Sequence, residues 1–301
     1  ETGPVGNLFL SFDATLHQGT QTTPVTTFVH PLTIRIPIRS EYLASADPET
    51  FGVYWRNPET GAWVHAGGLY DAATQTLAFQ TTHFSDYAVF RGNAGFADLT
   101  GHWAKSDIER MAAKDIAKGT GTVSGAAVFT PNREVSRAEF TALLIRSLKL
   151  LPEKAYAKAP LPAAGVSVFF PDISAGKWYT AELQTAYELQ LIRLVDARLF
   201  RPDTPITREE MALMMARAME LRGKLGVAPD ATGTLARFSD SAGLSASTAA
   251  PLATMVQNGL LQGRAGLSNG KPVVRLAPAE RSTRAEAIAV LYRLLKLLQT
   301  P

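Results

Sequence analysis

Cysteine is absent from the 301 residues. That excludes disulfides, thiol nucleophiles and thiolate zinc sites. Long apolar runs are missing too, and none approaches the ~18 residues that span a bilayer. Yet 46% of residues are hydrophobic and 19% charged, so the chain is not of the disordered class. No phosphate-cradling glycine loop is present, and His17, His30, His65 and His102 lack metal-ligand spacing. No leader pattern opens the sequence, and Glu1-Thr2-Gly3 is set aside from the fold reading. Lysine is missing from residues 1–95, which carry four arginines and eight acids, a net of −4. The net charge of +3 therefore rests on the remainder. From Arg237 onward six arginines and two lysines face three acids, leaving +5 in the last 65 residues. Such a basic face either suits an acidic ligand or is an ordinary solvated surface. Nucleic acid is not the expected partner, because the basic residues are not interleaved with aromatics.

What is present falls into two halves of different period. In "LTIRIPI", Leu32, Ile34, Ile36 and Ile38 alternate onto one face of a strand. "FGVYWRNPETGAWVHAG" reads as a hairpin turning at Asn57–Gly61, and "LYDAATQTLAF" as another. "HFSDYAVF" closes the series, with Tyr87 and Val89 alternating. Short strands joined by polar turns predict a β-sandwich over residues 1–92. After Arg91–Gly95 helical spacing takes over, as in Ile108, Met111, Ala112 and Ile116, and an all-α second half is expected.

The second half repeats. "FADLTGHW" at Phe96 returns as "FPDISAGKW" at Phe170 and "FSDSAGL" at Phe238. Each opener leads to an amphipathic helix, a loop and then [ST]-R-x-E: "SRAE" at Ser136, "TREE" at Thr207 and "TRAE" at Thr283. Polar or Pro/Ala-rich spacers starting at Leu151 and Arg222 divide the copies, giving segments 93–154, 168–224 and 236–301. The tetrapeptide spacing is that of a capping box. Ser136, Thr207 and Thr283 are the expected N-caps, with Glu139, Glu210 and Glu286 reaching back from N3. Arginine at N1 fits less well, since a helix N-terminus repels a cation. Arg137, Arg208 and Arg284 either supply an anion site with the exposed backbone N–H groups or pair with a neighbouring carboxylate.

F-x-D, W, a helix, F-x-P and [ST]-R-x-E recur in order over residues 96–297, as in "VFTPNREVSRAEF", "LFRPDTPITREEM" and "RLAPAERSTRAEA". This resembles the S-layer homology domain. The resemblance implies a pseudo-threefold bundle in which each repeat lends one helix to a central three-helix core. It also implies a bacterial cell-wall location and non-covalent anchoring, with no cofactor and no catalysis. The expected partner is secondary cell wall polysaccharide, often capped by a pyruvylated amino sugar whose carboxylate would suit the basic balance. The protein would act as a monomer with an internal pseudo-trimer, without membrane insertion. Carried over by position, the ligand-binding candidates are Asp98, Trp103 and Arg137; Asp172, Trp178 and Arg208; Asp240, Gly259, Gly263 and Arg284. The aspartates could equally form turns, and the tryptophans could pack in the core. Two departures stand out. Gln190 and Leu194 occupy glycine positions of the second repeat, and Ser247 stands near the third tryptophan position.

A second feature lies in the β half. His83-Phe84-Ser85 resembles the self-cleavage tripeptide of autoproteolytic β domains. That resemblance implies a self-processing surface module, in which Ser85 attacks the Phe84 carbonyl with His83 assisting. Such strands also occur beside S-layer homology repeats without any need for cleavage.

Overall fold

The computed structural model describes residues 4–92, 95–151, 170–174, 176–192, 199–225 and 230–299. Leu194 and the spacer after Leu151 lie outside the described residues. The chain forms two compact units: residues 1–130 with 149–153, and residues 131–148 with 154–301.

The first unit begins with β1 (Pro4–Ser11), β2 (Thr15–Gln18), β3 (Gln21–Pro24) and β4 (Thr27–Pro37). A short helix α1 (Ser40–Ser45) leads to β5 (Phe51–Arg56), β6 (Trp63–Gly67), β7 (Leu69–Asp71), β8 (Thr76–His83) and β9 (Asp86–Arg91). One sheet runs β1-β9-β5-β6 and another β4-β8-β7, all antiparallel, while β2 and β3 form a separate exposed hairpin. The two larger sheets share one apolar core that includes Ile36, Ile38, Phe51, Val53, Leu77, Phe79, Tyr87 and Val89. The alternation of "LTIRIPI" is visible in this burial. Ile36 and Ile38 are buried, Ile34 is half-buried, and Leu32 runs off the core into solvent. His65 is also drawn inward, and burial lowers its imidazole pKa to about 4.

The unit continues past residues 91–95 to include α2 (Lys105–Ala113) and the hairpin β10 (Gly121–Val123) and β11 (Ala126–Val128). Arg110 Nε donates to Asp47 at 2.7 Å, and the buried Lys114 donates to the Gly68 carbonyl. Gly92 allows the close approach, because a Cβ there would meet Ala113 at 2.5 Å.

The second unit holds α3 (Arg137–Lys149), α4 (Thr180–Glu188), α5 (Arg208–Leu221), α6 (Ala231–Leu235) and α7 (Ala246–Gln257). It ends with the hairpin β12 (Arg264–Ser268) and β13 (Lys271–Arg275), then α8 (Arg284–Gln299). The all-α expectation for the repeats is therefore corrected: hairpins β10–β11 and β12–β13 interrupt the first and third. Their physical cause is in the turns. Ser124-Gly125 and Asn269-Gly270 both have positive φ at the two central positions, the twist that closes a two-residue hairpin. The spacer after Arg222 likewise contains α6, which packs on α7.

At the centre of this unit three backbone groups form a closed ring. Val135 N–H donates to Ser282 O, Ser282 N–H to Ile206 O, and Ile206 N–H to Val135 O, at 2.9, 3.3 and 3.0 Å. All three residues are fully buried. The side chains are Val, Ile and Ser, and among the described residues the Ser282 hydroxyl has no hydrogen-bond partner. Burying an unpaired hydroxyl costs on the order of 1–3 kcal/mol. Ser282→Val should therefore raise stability by about 1 kcal/mol, read as a higher denaturant midpoint at unchanged slope.

Candidate functional site

Each repeat is built around an aspartate clamp. Asp98 accepts from the N–H groups of Phe129 and Thr130 at 2.9 and 2.7 Å. Asp172 accepts from Phe200 and Arg201 at 2.9 and 2.6 Å, and Asp240 from Leu276 and Ala277 at 2.7 and 2.8 Å. The second residue of each pair is left-handed, with φ of +53° for Thr130, +58° for Arg201 and +55° for Ala277. The carboxylate thus stabilises a strained turn that leads into the second helix. Of the two roles open to these aspartates, this geometry accounts for the turn.

The first helices end alike. Asp115, Gln190 and Gly259 follow the helix at φ of +56°, +56° and +67°. Nothing crowds a Cβ at Gly259, so that position demands a backbone conformation. Gly263 differs: a Cβ there would lie 2.2 Å from Val274 Cγ1 and 2.7 Å from Phe238 Cε1. Its small size serves packing against the opener phenylalanine.

The second helices begin with reciprocal caps. Glu139, Glu210 and Glu286 N–H groups donate to the hydroxyls of Ser136, Thr207 and Thr283 at 3.2–3.3 Å. Their carboxylates accept from the cap N–H groups at 2.9 Å. The N1 and N2 donors go to the next repeat. Arg137 and Ala138 N–H bind the carbonyls of Thr204 and Pro202. Arg208 and Glu209 bind Glu280 and Pro278, and Arg284 and Ala285 bind Arg133 and Pro131. The cycle closes from third repeat to first.

The arginines reinforce that cycle. Arg137 donates through Nε to Phe200 O and pairs with Glu210. Arg284 pairs with Glu139 at 2.9 Å, and Arg208 donates to the carbonyls of Leu276 and Gln262. Arg208 and Arg284 are only 6% and 5% exposed. Their helix-end N–H groups and guanidinium donors are committed between repeats, to carbonyls at Arg208 and to the Glu139 carboxylate at Arg284. At the Arg208 joint the equivalent acid, Glu286, is held instead by Arg264 at 2.5 Å. Burial and the Arg264 charge lower the Arg208 pKa, partly offset by Glu286, Glu280 and Asp240.

Comparison with known proteins follows this pattern. The S-layer homology domain model matches residues 95–141 and 169–212. The chain carries S-layer homology repeats. Among similar proteins, an amylopullulanase of Thermoanaerobacterium thermosulfurigenes is 34% identical over 83% of this chain and 12% of its own. The exoglucanase XynX of Acetivibrio thermocellus is 28% identical over 81% of this chain and 19% of its own. A surface-layer 125 kDa protein of Lysinibacillus sphaericus is 25% identical over 75% and 17%. The chain thus spans less than a fifth of the length of these relatives. S-layer homology proteins are surface proteins, and the repeats anchor them to the cell wall.

Among the described residues of the S-layer homology repeats the exposed aromatics are Trp103 and Trp178, at 63% and 57%. Both open the first helix of their repeat. Trp178 lies under a cation: Arg146, on α3 of the preceding repeat, has its guanidinium carbon 5.8 Å from the ring centroid. Glu182 Oε1 fixes that guanidinium, accepting from Nε at 3.0 Å and Nη2 at 2.8 Å. Sequence reasoning passed over Arg146, although Arg217 and Arg293 stand at the same distance from their N1 arginines. Those two donate to the carbonyls of Leu191 and Leu260. In the third repeat Ser247 replaces the tryptophan and hydrogen-bonds Ser245, the N-cap of α7. Among the described residues no cluster of metal-ligating groups occurs.

The tripeptide residues of the β unit diverge. Phe84 packs its ring against Phe12 and Phe28, and the Ser85 hydroxyl donates to the Arg56 carbonyl at 3.3 Å. His83 packs its ring with Trp55 and Tyr87. None of the three residues has a positive φ. The purified chain should keep its full mass on long incubation; a split after Phe84 by mass spectrometry would overturn this.

Acid should loosen the repeat cycle. Burial alone would raise the Glu139 pKa, but the hydrogen bonds from Arg133 and Ser136 and the charges of Arg284 and Arg133 hold it below its usual 4.5. That contribution is therefore complete above pH ~4.5 and is lost as pH falls through the lower folded value. Arg284→Ala should cost about 3 kcal/mol as a broken buried pair, and Thr207→Ala about 1 kcal/mol as a lost cap. Glu139→Gln should flatten the acid limb of the stability–pH curve, measured by denaturant titration between pH 3 and 6, a range set around the usual carboxylate values.

Proposed function

We propose that this chain holds a surface protein non-covalently on the cell wall by binding secondary cell wall polysaccharide in grooves between its repeats. The repeats, taken as residues 93–154, 168–224 and 236–301, form a pseudo-threefold bundle around α3, α5 and α8, so that one chain is an internal pseudo-trimer. Two features support that arrangement. The backbone hydrogen bonds run from each repeat to the next and close on the first. The same three helices are largely buried. The ligand is an acidic, pyruvylated amino sugar. Residues 1–92 act as a spacer, and the chain itself carries no catalysis.

The observation that carries this reading is a pair of large indoles left in solvent at matched positions of two repeats. An indole face takes the apolar face of a sugar ring, and a cation beside it suits a carboxylate on that sugar. Trp178 with Arg146 provides both, whereas the third repeat lacks the indole.

Sedimentation with wall sacculi tests the proposal. Wild-type chain should co-sediment, and removal of pyruvate groups from the wall should weaken this. Trp178→Ala should reduce affinity about tenfold, the loss of one stacking and cation contact, with the thermal midpoint unchanged. Trp103→Ala should act in the same direction. Undiminished binding by the double variant would sink the proposal.

A further inference from the structure

The first unit has a cavity that the wall-binding reading does not use. It opens at one end of the sandwich between the two sheets, has a volume of about 220 Å³, and is lined by Pro31, Trp55, Gln80, Thr82, His83 and Tyr87 among others. Trp55 reaches it from β5, and the polar residues from β8 and its end. The indole and imidazole meet edge to face, 4.9 Å apart at 70°. The imidazole is also stacked beside the Tyr87 ring at 6.2 Å and 19°.

The wall is pre-formed. Thr81 Oγ1 and Tyr87 Oη both donate to the His83 carbonyl, at 2.7 and 2.8 Å, and lie 2.7 Å from each other. This pins the His83 backbone while leaving its side chain uncommitted. Among the described residues neither ring nitrogen of His83 has a hydrogen-bond partner, although the side chain is half-buried. The neutral ring would present one donor and one acceptor to whatever enters. Thr82 adds an exposed hydroxyl; Gln80 also lines the space, its amide donating to Thr33 Oγ1 at 3.2 Å. Among the described residues no charged side chain lines the space.

These features define a ligand. It is uncharged, because nothing in the lining compensates a charge. It is a single small ring, because the volume is below the range of drug-sized sites. It has an apolar face for the indole and donor–acceptor groups at its edge for imidazole and hydroxyl. We propose that this mouth of the sandwich binds one uncharged sugar ring, with Trp55 as the platform and His83 as the polar contact. His83 then owes its place in the closing strand to this pocket, and needs no chemistry at Ser85.

Ligand-observed saturation-transfer NMR on the intact chain tests this, using glucose, xylose and N-acetylglucosamine with glucuronate as the charged comparator. At least one uncharged sugar should bind and glucuronate should not. His83→Ala should weaken binding about tenfold, as one lost hydrogen bond and ring contact. Trp55→Phe should do the same. Thr82→Ala, at an exposed position, gives a smaller loss and serves if the tryptophan variant does not fold. Trp178→Ala should leave this binding unchanged, which separates it from the wall-binding site. No binding of any uncharged sugar would overturn the proposal. So would binding that survives both His83→Ala and Thr82→Ala, or binding that disappears with Trp178→Ala.

Discussion

A helix leaves its first N–H groups without partners inside itself. The repeat unit is organised around how those groups are satisfied. N3 donates to the cap hydroxyl of its own helix, while N1 and N2 donate to loop carbonyls of the next repeat. Each helix start is therefore finished by a neighbour, and no repeat is complete alone. This also explains arginine at a position where helix electrostatics disfavour it. The side chain reaches past the helix end to carbonyl oxygens and, at two joints, to the cap glutamate of the following repeat. That glutamate closes its own cap and receives its neighbour's cation with the same carboxylate. The joint at Arg208 departs from the pattern, because Arg264 occupies the acid and leaves a buried guanidinium on carbonyls alone.

Much of this was legible in the residues. The [ST]-x-x-E spacing specifies a local structure within four positions, and hydrogen bonds appear where that spacing puts them. The strands of "LTIRIPI" and "DYAVF" were legible because one face is apolar and the other is not. The β12–β13 hairpin was also marked, by Asn269-Gly270, but helical periodicity on either side drew attention away. The partners of the arginines were not legible. They lie 54 to 145 residues distant, and a capping motif says nothing about what approaches from outside. The two glycine positions in the turn look equivalent in sequence. Only coordinates separate a positive φ at Gly259 from a steric limit at Gly263.

The aspartate clamps explain why F-x-D and F-x-P travel together. Asp98, Asp172 and Asp240 hold the turn just before the proline, and that turn carries the carbonyls which the adjacent helix requires. A change at Asp172 or Asp240 would thus be felt one repeat away. The tryptophans are different in kind. Trp103 and Trp178 can be removed without unmaking any of these bonds, so the ligand contact proposed for them would be separate from the residues of cohesion.

The direction of the cycle has a consequence for assembly. Its last links run from Arg284 and Ala285 at the start of α8 back to Arg133 and Pro131. A chain emerging N-terminal side first can dock the second repeat on the first early, but it cannot close the cycle until α8 is free. Contacts of such long sequence separation form slowly. Until then the three repeats would remain an open string, and α8 would act as the latch that completes them.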